Sequence, residues 1–118
     1  MLTISLLNVI LKKVSEKAAK NDIKPVILFH QRFWEDAERN IVTENDKKYV
    51  DAFKECCESN DIAFIDVTEP MVDLYKKNAE PSYGFANTVP GEGHLNKTGH
   101  RIIAYEVYKS INEMEEGK

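Results

Sequence analysis

Apolar residues recur along this chain with two different periods, and the switches between them mark out its elements. Leu7, Ile10, Leu11, Val14 and Ala18 fall at helical spacing, with Lys12, Lys13, Glu16, Lys17 and Lys20 on the other side. That pattern predicts an amphipathic helix over residues 2–20, stopped by Asn21-Asp22. Pro25 then opens Val26-Ile27-Leu28-Phe29, a run apolar on every side that reads as a buried parallel strand. Residues 30–45 mix polar and aromatic side chains without a clean period, which predicts a long loop with room for one helical turn. Tyr49, Val50, Phe53, Cys56 and Cys57 mark a second amphipathic helix, stopped near Ser59-Asn60-Asp61. Ile62 to Val67 reads as a second buried strand, and Thr68 with Pro70 begins a third helix with Met71, Val72, Leu74 and Tyr75 inside. A loop rich in glycine and proline runs from Pro81 to Gly93. Asn96 then reads as the N-cap of a last helix striped by Ile103, Val107, Ile111 and Met114.

Strands alternating with helices predict an α/β chain with parallel strands and right-handed crossovers. Two strands fall short of a doubly wound sheet, which has about five or six. Either strands are missing from the chain, or a second copy supplies them. At 118 residues the length fits a single domain over residues 1–118.

Hydrophobic residues at 42% and charged residues at 31% describe an ordinary globular chain. A formal net charge of -4 leaves no basic surplus for phosphates, so no nucleic-acid partner is expected. The longest apolar stretch, Ile4 to Leu11, is interrupted by Ser5 and Asn8 and is too short to span a bilayer. It also lacks the basic segment and cleavage site of a signal peptide. The two cysteines, Cys56 and Cys57, are adjacent and point about 100° apart on a helix, so they do not readily pair. Without CxxC or HExxH spacing, neither a metal nor another cofactor is expected. The compartment stays open.

Chemistry concentrates in Pro90-Gly91-Glu92-Gly93-His94-Leu95-Asn96-Lys97-Thr98-Gly99-His100. Glycines bracket an acid and a histidine at the end of a loop, just before a capped helix. The acid can reach back to Nδ1 of the imidazole and leave Nε2 free to take a proton. The loop follows the second strand, on the side where parallel α/β sheets bind ligands. A general base suits this position, and a loop histidine held by backbone groups is the plain alternative.

This segment resembles the last sequence block of the SGNH (GDSL-type) hydrolases, where an acid and a histidine precede Leu or Pro, Asn and Gly-His. Glu92 and His94 match the acid and the catalytic base; Asn96, Gly99 and His100 match the capping and packing positions. With the preceding elements, the likeness covers about two-thirds of the chain. It implies a three-layer flavodoxin-like fold with sheet order 2-1-3-4-5, of which this chain holds only the C-terminal part: two parallel strands and about four helices. Residues 25–29 are then the fourth strand and 62–67 the fifth. Two departures stand out. The family's usual acid lies three residues before the histidine, where this chain has Gly91, and Glu92 lies two before. The blocks carrying the nucleophilic serine of Gly-Asp-Ser, the oxyanion glycine and Gly-x-Asn-Asp are absent. None of Ser5, Ser15, Ser59, Ser82 and Ser110 follows a strand in such a context.

The resemblance implies the C-terminal portion of a serine ester hydrolase (esterase, lipase or acylhydrolase), supplying His and acid to a serine upstream, with the chain alone lacking the nucleophile. An O-acetyltransferase of the same fold and a non-catalytic α/β interaction module are the alternatives. The ligand would be an ester or O-acylated small molecule or carbohydrate. His30 follows the first strand and is a candidate for substrate binding, or else a loop histidine bonded to its surroundings. Arg32 and Trp34 offer guanidinium hydrogen bonds and ring stacking, or are a surface arginine and a half-buried tryptophan. Asp66 reads better as part of the third helix's start than as a third acid. Tyr83, Phe85 and Asn87 are candidates for a pocket wall, and His100 for a structural role.

The strand at 25–29 has an apolar edge that needs covering. A homodimer or the missing N-terminal half would pair with it, or Leu2–Leu6 would leave the helix and add as a strand.

Overall fold

The computed structural model describes residues 3–85, 87–89 and 91–117. The elements run α1 (Ile4–Lys20), β1 (Val26–Phe29), β2 (Phe33–Glu35), β3 (Ile41–Thr43), α2 (Lys47–Ser59), β4 (Ala63–Asp66), α3 (Thr68–Asn78) and α4 (Lys97–Glu116). The chain is thus mixed α/β. Pairing joins β1 to β4 and β2 to β3. The first pair is parallel, since Ala63 donates to Pro25 O and Val67 to Phe29 O, both contacts advancing in the same direction. The chain divides into two compact units, Met1–Leu28 with Asn45–Ile65, and Phe29–Glu44 with Asp66–Lys118.

In the first unit, α1 and α2 are built alike. Thr3 caps α1, its hydroxyl accepting from Leu6 N at 3.2 Å, and Asp46 caps α2, its carboxylate accepting from Tyr49 N at 2.7 Å. Both helices then end in Asn-Asp-Ile. Asp22 and Asp61 adopt left-handed backbone with φ of 51° and 56°. Ile23 N reaches back to Ala18 O, and Ile62 N to Cys57 O, each at 2.9 Å. These are Schellman closures, and they aim the chain from each helix into the following strand. A short polar side chain tolerates this backbone best after glycine. The closure also buries Ile62 against Cys57, in a core completed by Leu7, Leu11 and Cys56.

Two expectations change here. The N-terminal segment is helical from Ile4, and residues 4–6 do not add as a strand; Leu2 lies outside the described residues. The helix cap is satisfied, Leu7 N already bonds Thr3 O, and leucine favours the helix, so strand propensity at Thr3 and Ile4 has nothing to gain. The apolar stripe of α1 is also wider than its buried face: Leu7, Leu11 and Ala18 are buried, whereas Leu6, Val9, Ile10 and Val14 are exposed.

In the second unit, residues 30–45 hold a hairpin where the sequence pattern predicts a loop with one helical turn. Phe33, Trp34 and Glu35 pair antiparallel with Thr43, Val42 and Ile41. The Asp36 carboxylate accepts from Glu38 N and Asn40 N, both at 2.9 Å, and Arg39 takes φ 65°. An Asx-type turn therefore reverses the chain where glycine would be the usual signal. Helix α3 begins where Asp66 accepts from Thr68 N at 2.9 Å, in line with its reading as part of the helix start. Val67 and Met71 are fully buried in this unit.

Burial pushes the Cys57 thiol up from its ordinary 9.0 to about 11, with Cys56 and Glu58 adding to the effect. As pH rises through this interval the unfolded thiol loses its proton first, so the unfolded state binds fewer protons and stability falls. Urea denaturation at stepped pH should show the native chain losing stability between pH 9 and 11 more steeply than Cys57→Ala. Parallel slopes would contradict the burial.

Candidate functional site

The segment from Pro81 to Asn96 is held by the side chain of Asn96. Its Oδ1 accepts from Gly99 N at 3.0 Å, capping α4. Its Nδ2 donates to Pro81 O at 2.9 Å and to Gly84 O at 3.0 Å. Its backbone N–H donates to Ser82 O at 3.0 Å. Tyr83 and Leu95 form an isolated antiparallel bridge, and Gly84 N donates to His94 O at 2.9 Å. Asparagine is suited to this place because one amide offers both an acceptor and two donors.

Two glycines let the backbone close up. Gly84 has φ 91°, and a Cβ there would lie 2.8 Å from Glu92 O and 2.9 Å from Val89 O. At Gly99 a Cβ would collide with Ser82 O and the Leu95 side chain. Asn96 is therefore a cap, as the residue pattern predicts, and Gly99 a close-packing position. His100, in the first turn of α4, is exposed.

This scaffold carries Glu92 and His94. Both side chains are exposed, and among the described residues neither hydrogen-bonds the other. Tyr83, one residue before Gly84, fixes where they sit. Its hydroxyl donates to Gln31 O at 3.1 Å and lies 2.8 Å from His30 Nδ1. With the hydroxyl proton on Gln31 O, His30 Nδ1 is the donor and Nε2 remains free to accept. His30 and Gln31 directly follow Phe29, so the His94 loop is tied to the segment that leaves β1. Burial pushes the Tyr83 phenol up to about 12; Glu44 adds to this and Arg32 opposes it, so Tyr83 works here as a neutral hydrogen-bonding group.

Beside this loop lies a cavity of about 280 Å³, lined by Phe33, Trp34, Glu35, Tyr75, Ala79, Pro81, Ser82, Tyr83, Gly91 and Glu92. Of the residues singled out from sequence, it gathers Trp34, Tyr83 and Glu92, and does not include His30, Arg32 or His94. Arg32 instead spans the base of the hairpin, its guanidinium 3.4 Å from Glu44. His30 belongs to the Tyr83 anchor. Phe85 and Asn87 are exposed outside the cavity. Glu35, Tyr75 and Ser82 carried no sequence signal for this site: their sequence neighbours are ordinary hairpin, helix and loop residues. Among the described residues no group of His, Cys, Asp and Glu gathers as for a metal ion, and no helix is long and apolar enough to cross a membrane.

No family model, curated protein or solved structure matches this chain.

The Asn96 arrangement is directly testable. Asn96→Ala removes both the cap and the clamp and should destabilise the chain by about 1–3 kcal/mol. Asn96→Asp keeps an acceptor for Gly99 N but places a carboxylate against Pro81 O and Gly84 O. Amide exchange should therefore rise at Gly84, whose N–H donates to His94 O, in both variants, and at Gly99 chiefly in the alanine variant. Equal protection at Gly84 in the native and N96D chains would show that the amide donors do not hold the loop.

Proposed function

We propose that this chain is the C-terminal portion of a serine ester hydrolase of the SGNH type, with His94 as its general base. The observation that carries the reading is the clamped loop: Asn96 caps α4 while holding Gly84, and Gly84 holds His94 O, beside the segment that leaves a parallel strand. A histidine fixed through its backbone at that end of an α/β sheet is where such chemistry is done. In the complete enzyme, His94 takes the proton of a serine hydroxyl as the hydroxyl attacks the ester carbonyl, then returns it to the leaving alcohol. Glu92 stabilises the imidazolium formed between these steps, once its carboxylate swings to Nδ1. An acyl acceptor other than water would make the same steps an O-acetyl transfer. The serine comes from a segment outside these residues. Ser82, 1% exposed and bonded to no described histidine, is not suited to that role.

The same reading gives β1 and α1 a partner. β1 pairs with β4 alone among the described strands, and α1 exposes Leu6, Val9, Ile10 and Val14. A further strand beside β1, from the missing half or from a second copy, would satisfy the edge.

One observation favours a non-catalytic interaction module instead: the Glu92 carboxylate leaves the His94 ring without an orienting acid among the described residues. Reading the coding sequence upstream of Met1 separates the two. The hydrolase reading expects an in-frame Gly-Asp-Ser segment followed by Gly and Gly-x-Asn-Asp blocks. The protein carrying both halves should hydrolyse p-nitrophenyl acetate, with His94→Ala lowering kcat by about 10²–10⁴-fold. The 118-residue chain alone should give no turnover above buffer. Turnover by that chain, abolished in His94→Ala, would overturn the missing nucleophile; an unrelated upstream domain would favour the module.

A further inference from the structure

Two helices, one in each unit, carry a face that their own unit leaves uncovered. On α1, Leu6, Ile10 and Val14 share one stripe with Lys13, Lys17 and Lys20, and all six are exposed, while Leu7, Leu11 and Ala18 face the core. The stripe changes character along its length. Residues 4–11 carry no charge, and the lysines follow, with Glu16 the one acid of the helix. None of these lysines is in an ion pair among the described residues. On α4, Tyr105 and Tyr108 are 61% and 65% exposed, Ile111 is exposed beside them, and Glu115 and Glu116 follow on the same side. Ile103, Val107 and Met114 are partly buried on the opposite side. Lys109, over the Tyr105 ring, is already paired with Glu106 at 3.1 Å. The α1 face thus runs from apolar to cationic and the α4 face from aromatic to anionic, in the same chain direction. Leu6 to Lys17 and Tyr105 to Glu116 are both separations of about 11 residues, or about 16 Å.

We propose that α1 of one copy of this chain packs parallel against α4 of a second copy, with Leu6 and Ile10 over Tyr105 and Tyr108 and the lysines beside Glu115 and Glu116. Apolar burial supplies the attraction, and the charges set the direction. The antiparallel arrangement would bring Lys17 and Lys20 against Lys97 and Arg101. Two α1 helices suit each other less well. Side by side in parallel they oppose their lysines, and α1 has no acid in its first turn to receive them in antiparallel order. An anionic membrane surface would attract the lysines, but it gains nothing from the α4 face and repels a chain of net charge -4. The pairing does not rest on the ester-hydrolase reading, since neither face includes a residue placed in that site.

Sedimentation equilibrium of the 118-residue chain should show self-association that rises with concentration. Ile10→Glu and Tyr108→Glu should each weaken it by about tenfold or more, and Lys17→Glu and Glu116→Lys by about threefold or more, with far-UV circular dichroism confirming that each variant is folded. Two combinations test the pairing itself. A chain carrying both Lys17→Glu and Glu116→Lys should return to within about twofold of the native affinity. Ile10→Glu and Tyr108→Glu chains, mixed, should associate more tightly with each other than either does with itself, because the mixture restores one intact α1 opposite one intact α4. A chain that stays monomeric up to about 1 mM would overturn the proposal. So would unaltered association in both folded glutamate variants, as pairing through the β1 edge would give. A double charge reversal weaker than either single one, or a mixture no tighter than its components, would overturn it too.

Discussion

The second unit depends on one amide. Asn96 could have capped α4 with its oxygen alone, as Ser or Asp would. Its nitrogen donates in addition to two carbonyls of the incoming chain, at Pro81 and Gly84. The start of a helix and the two ends of a loop are thereby set by a single planar group. Tyr83, Gly84 and His94 inherit their positions from this group. The Tyr83–Leu95 bridge brings Tyr83 to the segment leaving β1, and Gly84 holds His94 by its carbonyl. The two tight glycines follow from the same geometry. Once Asn96 draws the strands of the loop together, Gly84 and Gly99 have no room for a Cβ.

What the sequence disclosed and what it hid divide along a physical line. Local signals were legible. Helical periodicity found the four helices among the described residues, Asn96 announced its cap, and Asn-Asp pairs marked the ends of α1 and α2, where the Asp residues take left-handed backbone. The hairpin at Phe33–Thr43 was not legible, because its strands are three residues long and too short for alternation to register. Its turn relies on Asp36 folding back on its own backbone and on Arg39 in a left-handed conformation, with no glycine or proline to announce either. For α1 the period holds but the width of the buried face does not. Periodicity counts apolar residues, and it cannot say which of them a partner will cover.

The same division runs through the candidate site. Residue type and spacing singled out Glu92, His94 and Trp34, since acid-x-His and tryptophan are local facts. The contacts that give the region its character join distant residues: His30 to Tyr83 across 53 positions, and Gln31 to Thr68 across 37. Glu35 meets Tyr75 and the Ser82 hydroxyl lies buried only because the chain is folded. No period or spacing encodes such pairs. They also give His30 and Arg32 partners within the chain, Tyr83 and Glu44.

His94 combines a fixed backbone with a free ring. Its carbonyl is bonded, while its side chain is exposed and makes no described contact. An exposed imidazole samples several rotamers, and restricting it to one costs on the order of 1 kcal/mol. A general base gains its advantage only when that cost is met before the reaction, by an orienting acid and a neighbouring nucleophile. On the proposed reading, this chain supplies the position and the base, and the serine-bearing half closes over the ring. That division of labour fits the rest of the unit: the backbone around His94 is over-determined by Asn96, Gly84 and Leu95, so a second surface can dock against the ring without having to build the loop.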